Sequence, residues 1–133
     1  PTSVVSSRLV ERGILRSGMY GIEKSFGDNP ETYKEEDFLR YAESIAENKL
    51  CPSGLFMPLL IKKEHMERVN YYPEGNVLDR SDMFNPIIAQ KGQHLISGDV
   101  ILMRKLAHFG IKHETDFSCI VYHFQQGEML DSI

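Results

Sequence analysis

The sequence predicts an α+β fold in which N-terminal helices are followed by an antiparallel β-meander. Three observations predict it. Phe38, Tyr41, Ala42, Ile45 and Ala46 recur at helical spacing, while Glu36, Arg40, Glu43, Glu47 and Lys49 take the other side. The last third of the chain holds short apolar runs divided by polar connections, the pattern of paired strands. Helical and strand-like stretches are segregated along the chain rather than interleaved, which favours α+β over α/β.

Taken in order, Val4 to Phe26 carries apolar pairs at Val4-Val5, Leu9-Val10, Ile14-Leu15 and Met19-Tyr20. That repeat matches neither the helical nor the strand period, and a helix over the first half with a break near Gly18 is the expectation. Gly27-Asp28-Asn29-Pro30 is a turn by composition. Pro30 suits the first turn of a helix, and Thr32-x-x-Glu35 has the form of a capping box. The amphipathic helix that follows should end near Leu50, because Pro52 disfavours helical geometry at Cys51. Leu59-Leu60-Ile61 reads either as a buried strand or as one turn of a helix continuing through Met66. Tyr71 to Pro86, rich in Pro, Gly, Asn and Asp, reads as a long surface connection. Val100 to Met103 is apolar on both faces and reads as an interior strand. Leu106–Lys112 and Phe117–Phe124 then form a hairpin closed by His113-Glu114-Thr115-Asp116. Gln126-Gly127 turns the chain into a last strand, Glu128 to Ser132.

The 133 residues suit one domain, 1–133, able to bury a core. Hydrophobic residues at 41% and charged residues at 26% are globular proportions. A formal net charge of -4, with Lys and Arg dispersed, disfavours nucleic acid as the main partner. Leu55 to Ile61, the longest apolar stretch, is too short to cross a bilayer, and Pro1-Thr2-Ser3 opens no signal pattern. Two cysteines without a Cys-x-x-Cys pair read as free thiols in a reducing, cytoplasmic setting. The expected partner is a small-molecule or peptide ligand, or a second copy in a homodimer; no cofactor and no metal is implied.

Strand alternation on the expected hairpin gathers His108, Cys119 and His123 on one face. With the four polar residues as the loop, His108 and His123 become diagonal neighbours, roughly 7–8 Å apart at the backbone. Cys51 lies between an apolar helix and Pro52, a residue that commonly opens another helix. A thiol at a helix N-terminus sees the positive end of the dipole, which favours thiolate.

The runs Gly98-Asp99-Val100-Ile101, His108-Phe109-Gly110-Ile111 and Val121-Tyr122-His123-Phe124 resemble the strand block of papain-like hydrolases of the NlpC/P60 and lecithin:retinol acyltransferase kind. In those families a nucleophilic Cys precedes the strands, and Cys51 holds that place in chain order. The family pattern there is Cys-Ser-Gly-hydrophobic, where this chain has Cys51-Pro52-Ser53-Gly54-Leu55. The resemblance implies a thiol hydrolase or acyltransferase acting on an amide or ester. Cys51 would be its nucleophile, His108 the general base and His123 the group orienting that base. Tyr122-x-Phe124-x-x-Gly127-x-Met129-Leu130 also resembles the closing hairpin of the cystatin-like, NTF2-like fold. That resemblance implies a non-catalytic small-ligand-binding or dimerisation domain.

Overall fold

The structure, a computed structural model, describes residues 3–13, 19–55, 58–72, 77, 78, 83, 84, 87, 90 and 95–124. Two strands from opposite ends of the chain form its spine. β1 (Ser3–Glu11) and β7 (Lys112–His123) run parallel, paired from Ser3↔Lys112 to Glu11↔His123 with one shift of register between them. The other edge of β1 is shared by β4 (Leu59–Leu60), antiparallel at Val5 and Ser6, and β2 (Ile22–Glu23), parallel at Val10 and Glu11. β3 (Leu50–Pro52) lies antiparallel on the outer side of β7, completing a five-stranded mixed sheet. A second ladder pairs β5 (Val77–Leu78) with β6 (Leu95–Ile96). The helices are α1 (Glu35–Ile45), α2 (Lys63–Arg68) and α3 (Gly98–His108).

Helix and strand coexist as expected, but their order is corrected: the chain opens on a strand, and helices follow strands. The segment from Val4, read as a helix, is β1. Its residues are buried on both faces of a central strand, so the alternation that marks a half-exposed strand is missing. The stretch read as two strands, Val100 to Met103 and the arm from Leu106, is mostly one helix. α3 is wedged between two apolar groups: Leu102 and Leu106 join Val4, Val69 and Ile111, while Ile101 joins Val77 and Ile96. A helix with apolar neighbours on two sides shows no clear amphipathic stripe and reads as a buried strand. Its start is set by Ser97, whose side chain accepts from the Val100 N–H.

The hairpin is also corrected. His113 to Asp116, read as its loop, lies inside the continuous strand β7. Thr32 does not cap α1: its Oγ1 accepts from the Asp28 and Asn29 N–H groups, and the helix starts at Glu35 without a side-chain cap. α1 stops at Ile45 rather than near Leu50, and Cys51 sits in β3, so no helix begins at that thiol. Of the residues chosen for the buried face of α1, Phe38 is buried, Tyr41, Ala42 and Ile45 are half-buried, and Ala46 is exposed. The ambiguous stretch is both things in turn, β4 and then α2. Within the expected surface connection the described residues include β5, whose Val77 is buried, and the break near Gly18 and the strand at Glu128 to Ser132 lie outside the described residues.

Alternation along β1 places Val4, Ser6, Arg8 and Val10 on one face. Val4 packs against Leu102 and Leu106 of α3 and against Val69, which closes α2. Val10 packs against Phe26 and against Phe38 of α1, within a ring cluster that includes Tyr33, Tyr41 and Tyr122. The register between β1 and β7 breaks between these two cores: Ser7 pairs with Asp116, but Arg8 pairs with Ile120. Asp116 Oδ1 closes this bulge by accepting from Ser118 N at 2.8 Å and Ser118 Oγ at 2.6 Å. Among the described residues, no helix is long and apolar enough to cross a membrane.

Candidate active site

Between the two cores the same face of the sheet carries polar side chains. Ser6 pairs with Thr115, and Thr115 pairs with Cys51, so these three side chains form a row across β1, β7 and β3. His113 is two residues before Thr115 and shares its face. Cys51 and His113 are therefore diagonal neighbours on antiparallel strands, which sets their backbones roughly 7–8 Å apart. Cys51 is a free, half-buried thiol, and Ser6 is only 1% exposed.

The imidazole is fixed by Ser6. The hydroxyl donates to the Leu55 carbonyl at 2.6 Å and lies 2.5 Å from His113 Nε2. A serine has one proton, and a carbonyl can only accept it. The Leu55 carbonyl thus ties Ser6 and the His113 ring into one hydrogen-bonded group, in which the donor between Oγ and Nε2 follows the ring's tautomer. Burial pushes His113 below the ordinary histidine range, and hydrogen bonding to the Leu55 carbonyl partly offsets this. The ring at neutral pH is therefore a free base rather than a cation.

A short strap holds the site together. After β3 the chain turns at Ser53 (φ 66) and Gly54 (φ 148) and crosses over Thr115 and Ser6. Three hydrogen bonds pin it: Ser53 N donates to the His113 carbonyl at 2.7 Å, Thr115 Oγ1 to the Ser53 carbonyl at 2.6 Å, and Ser6 Oγ to Leu55. Only glycine fits the crossing, since a Cβ on Gly54 would sit 1.9 Å from Thr115 Oγ1.

The other two residues singled out by the sequence lie elsewhere. His108 ends α3, is exposed, and contacts the rings of Phe84 and Phe109 at 5.3 and 5.2 Å. His123 closes β7, opposite Glu11 in register, with Nδ1 2.7 Å from Glu11 Oε1. Glu11 is 4% exposed, and its Oε2 has no hydrogen-bond partner. Cys51 pairs near the other end of β7, so His123 stands on the order of 20 Å from it along the strand. Among the described residues, no hydrogen bond joins Cys51, His108 and His123 to one another. Cys119 is exposed within the bulge. Among the described residues, no group of three or more His, Cys, Asp or Glu could hold a metal ion.

Sequence reasoning missed Ser6 and His113. The available signal was the run Ser3, Ser6, Ser7 in an apolar segment, matched by the equally polar run His113 to Asp116. Two polar stretches can bury one another when their side chains pair. The chain matches no protein-family model, no curated protein and no solved structure.

Proposed function

We propose that the chain is a small thiol-dependent hydrolase or acyltransferase-like domain acting on an amide or ester, with Cys51 as nucleophile and His113 as general base. The observation that carries this reading is the Ser6–His113 hydrogen bond, which orients a neutral imidazole one diagonal step from a half-buried thiol. His113 takes the place that the sequence reading gave to His108, and Ser6 takes the positioning role given to His123. In the reaction, the His113 imidazole accepts the thiol proton as sulfur attacks the carbonyl carbon, and the carbonyl electron pair moves to oxygen. Collapse reforms the carbonyl and expels the amine or alcohol, which takes the proton back from the imidazolium. Water or another acceptor then resolves the thioester. Because burial disfavours the cationic ring, His113 rests neutral and takes up a proton only during attack.

The test is acylation by p-nitrophenyl acetate. One equivalent of p-nitrophenolate should be released in a burst, with the acetyl group found on Cys51 by mass spectrometry. Cys51→Ser should abolish the burst, His113→Ala should slow it by about 10²-fold, and Cys119→Ser should leave it unchanged. Acetyl groups scattered over lysines, or a rate indifferent to His113, would overturn the reading.

The non-catalytic binding or dimerisation reading is favoured by a separate observation. Leu60 is 75% exposed and Leu50 53% exposed, at the two edges of the sheet. A concentration-dependent mass in sedimentation, lowered by Leu60→Glu, is the result that reading expects.

A further inference from the structure

Phe117 lies immediately beyond the site on β7 and carries two cations. The Arg8 guanidinium carbon is 4.5 Å from its ring centroid, and Lys49 Nζ is 4.8 Å from it. The backbone of each cation is fixed beside the ring. Arg8 follows Ser6 on the same face of β1, and its Nε donates to the Tyr20 carbonyl at 2.9 Å. Tyr20 packs edge-on against Phe117 at 5.0 Å and donates its hydroxyl to the Pro52 carbonyl at 2.7 Å, next to Cys51. Lys49 is tied by the backbone, since Phe117 N donates to the Lys49 carbonyl and Glu47 N to the Phe117 carbonyl, each at 3.0 Å. It stands two residues from Cys51, about 7 Å along an extended chain.

We propose that Arg8 and Lys49 form an oxyanion-binding position beside Cys51, so that the substrate carries a carboxylate or phosphate close to its reacting carbonyl. The inference rests on the reading of Cys51 as the reacting group. Like charges repel, and two cations on one ring are held together by the fold rather than by each other. Among the described residues, one carboxylate is paired with them: Glu47 Oε2, 2.8 Å from Lys49 Nζ and 52% exposed. Lys49 is held above the ordinary lysine range, first by its hydrogen bond to Glu47, with the neighbouring Cys51 adding to the effect and Arg8 opposing it. The three charges therefore feel one another, and one positive charge is left in excess at the edge of the site. An incoming oxyanion can take Glu47's place at Lys49 and engage the planar fork of Arg8.

Two alkylating reagents of equal size and opposite demand test this on the intact chain. Iodoacetate carries the anion, and iodoacetamide does not. The iodoacetate-to-iodoacetamide rate ratio at Cys51 should exceed that at exposed Cys119 by about tenfold at low salt, and the excess should vanish near 1 M salt. Arg8→Gln and Lys49→Gln should each lower the ratio toward the Cys119 value, whereas Glu47→Gln should raise it by freeing Lys49. Added phosphate and acetate, compared at equal ionic strength, should protect Cys51 from iodoacetate, the stronger protector marking phosphate or carboxylate as the preferred group. A Cys51 ratio equal to that of Cys119 in every variant, or protection by neither anion, overturns the inference even where the acetyl burst persists. A burst lost while the charge ratio persists overturns the catalytic reading and leaves the anion position standing.

Discussion

The two halves of the β1–β7 pair, on either side of the break at Ser7/Arg8, share a backbone arrangement and differ in what they bury. In the first half Ser3, Ser6 and Ser7 stand opposite Lys112, Thr115 and Asp116. In the second half Leu9 and Val10 stand opposite Val121 and Tyr122. The second half is a packing surface, its rings meeting edge-on and tilted around Phe26, Phe38 and Tyr122. The first half buries polar groups, which costs free energy unless each finds a partner. Ser6, His113 and Thr115 find theirs in one another and in the strap from Ser53 to Leu55. Polar side chains fixed in this way can do chemistry, and closely packed rings cannot. The bulge between the halves lets two such different surfaces share one strand pair.

The largest effects should come from breaking either core. Phe38→Ala in the aromatic half should cost about 3–5 kcal/mol and Leu106→Ala beside the polar half about 2–5 kcal/mol. Both are read as shifts in a denaturation midpoint. If the halves fold as one unit, circular dichroism and tyrosine fluorescence should report the same transition in each variant. Separate transitions would show that the bulge divides the molecule into two independent parts. The strap sharpens the contrast at smaller magnitude. Gly54→Ala forces a Cβ into a backbone conformation that L side chains rarely adopt and against Thr115, and should cost about 1–3 kcal/mol. Thr115→Val, which removes only the hydroxyl given to Ser53, should cost about 1 kcal/mol. An equal cost for both substitutions would mean that the close crossing at Gly54 is relieved by movement of the strap.

The smallest expected effect is a pH dependence confined to the polar half. His113 is held below its unfolded value by burial, so between the two values the unfolded chain binds more protons. Stability should then be full above about pH 6.5 and decline as pH falls toward the lower folded value. His113→Gln should flatten that decline, and a slope unchanged by the substitution would place its origin elsewhere.

How much of this was legible follows from where each signal resides. The spacing of Phe38, Tyr41, Ala42 and Ile45 is local, and α1 was readable from it apart from its ends. Cys51 could be singled out because a thiol beside a proline and a glycine is visible in a few residues. His113 could not, because a polar run between two apolar stretches has the composition of a loop. Its strand conformation depends on pairing with Ser3 to Ser7. α3 was misread for the complementary reason: its apolar run is satisfied by β1 on one side and by the β5–β6 ladder on the other, and neither neighbour is local.

By itself, then, the sequence determined what short-range physics can decide. Helical periodicity set α1, turn chemistry set Gly27 to Pro30, and composition made a chain able to bury a core. The tertiary structure alone decided which polar residues became buried partners. The Ser6–His113 contact spans 107 residues. Closing so long a loop costs conformational entropy that no local preference supplies. The pairing forms because the sheet and helices gather enough apolar surface around it. Ser6 then meets an imidazole, and Cys51 comes to lie on the same face, only once the whole chain has folded.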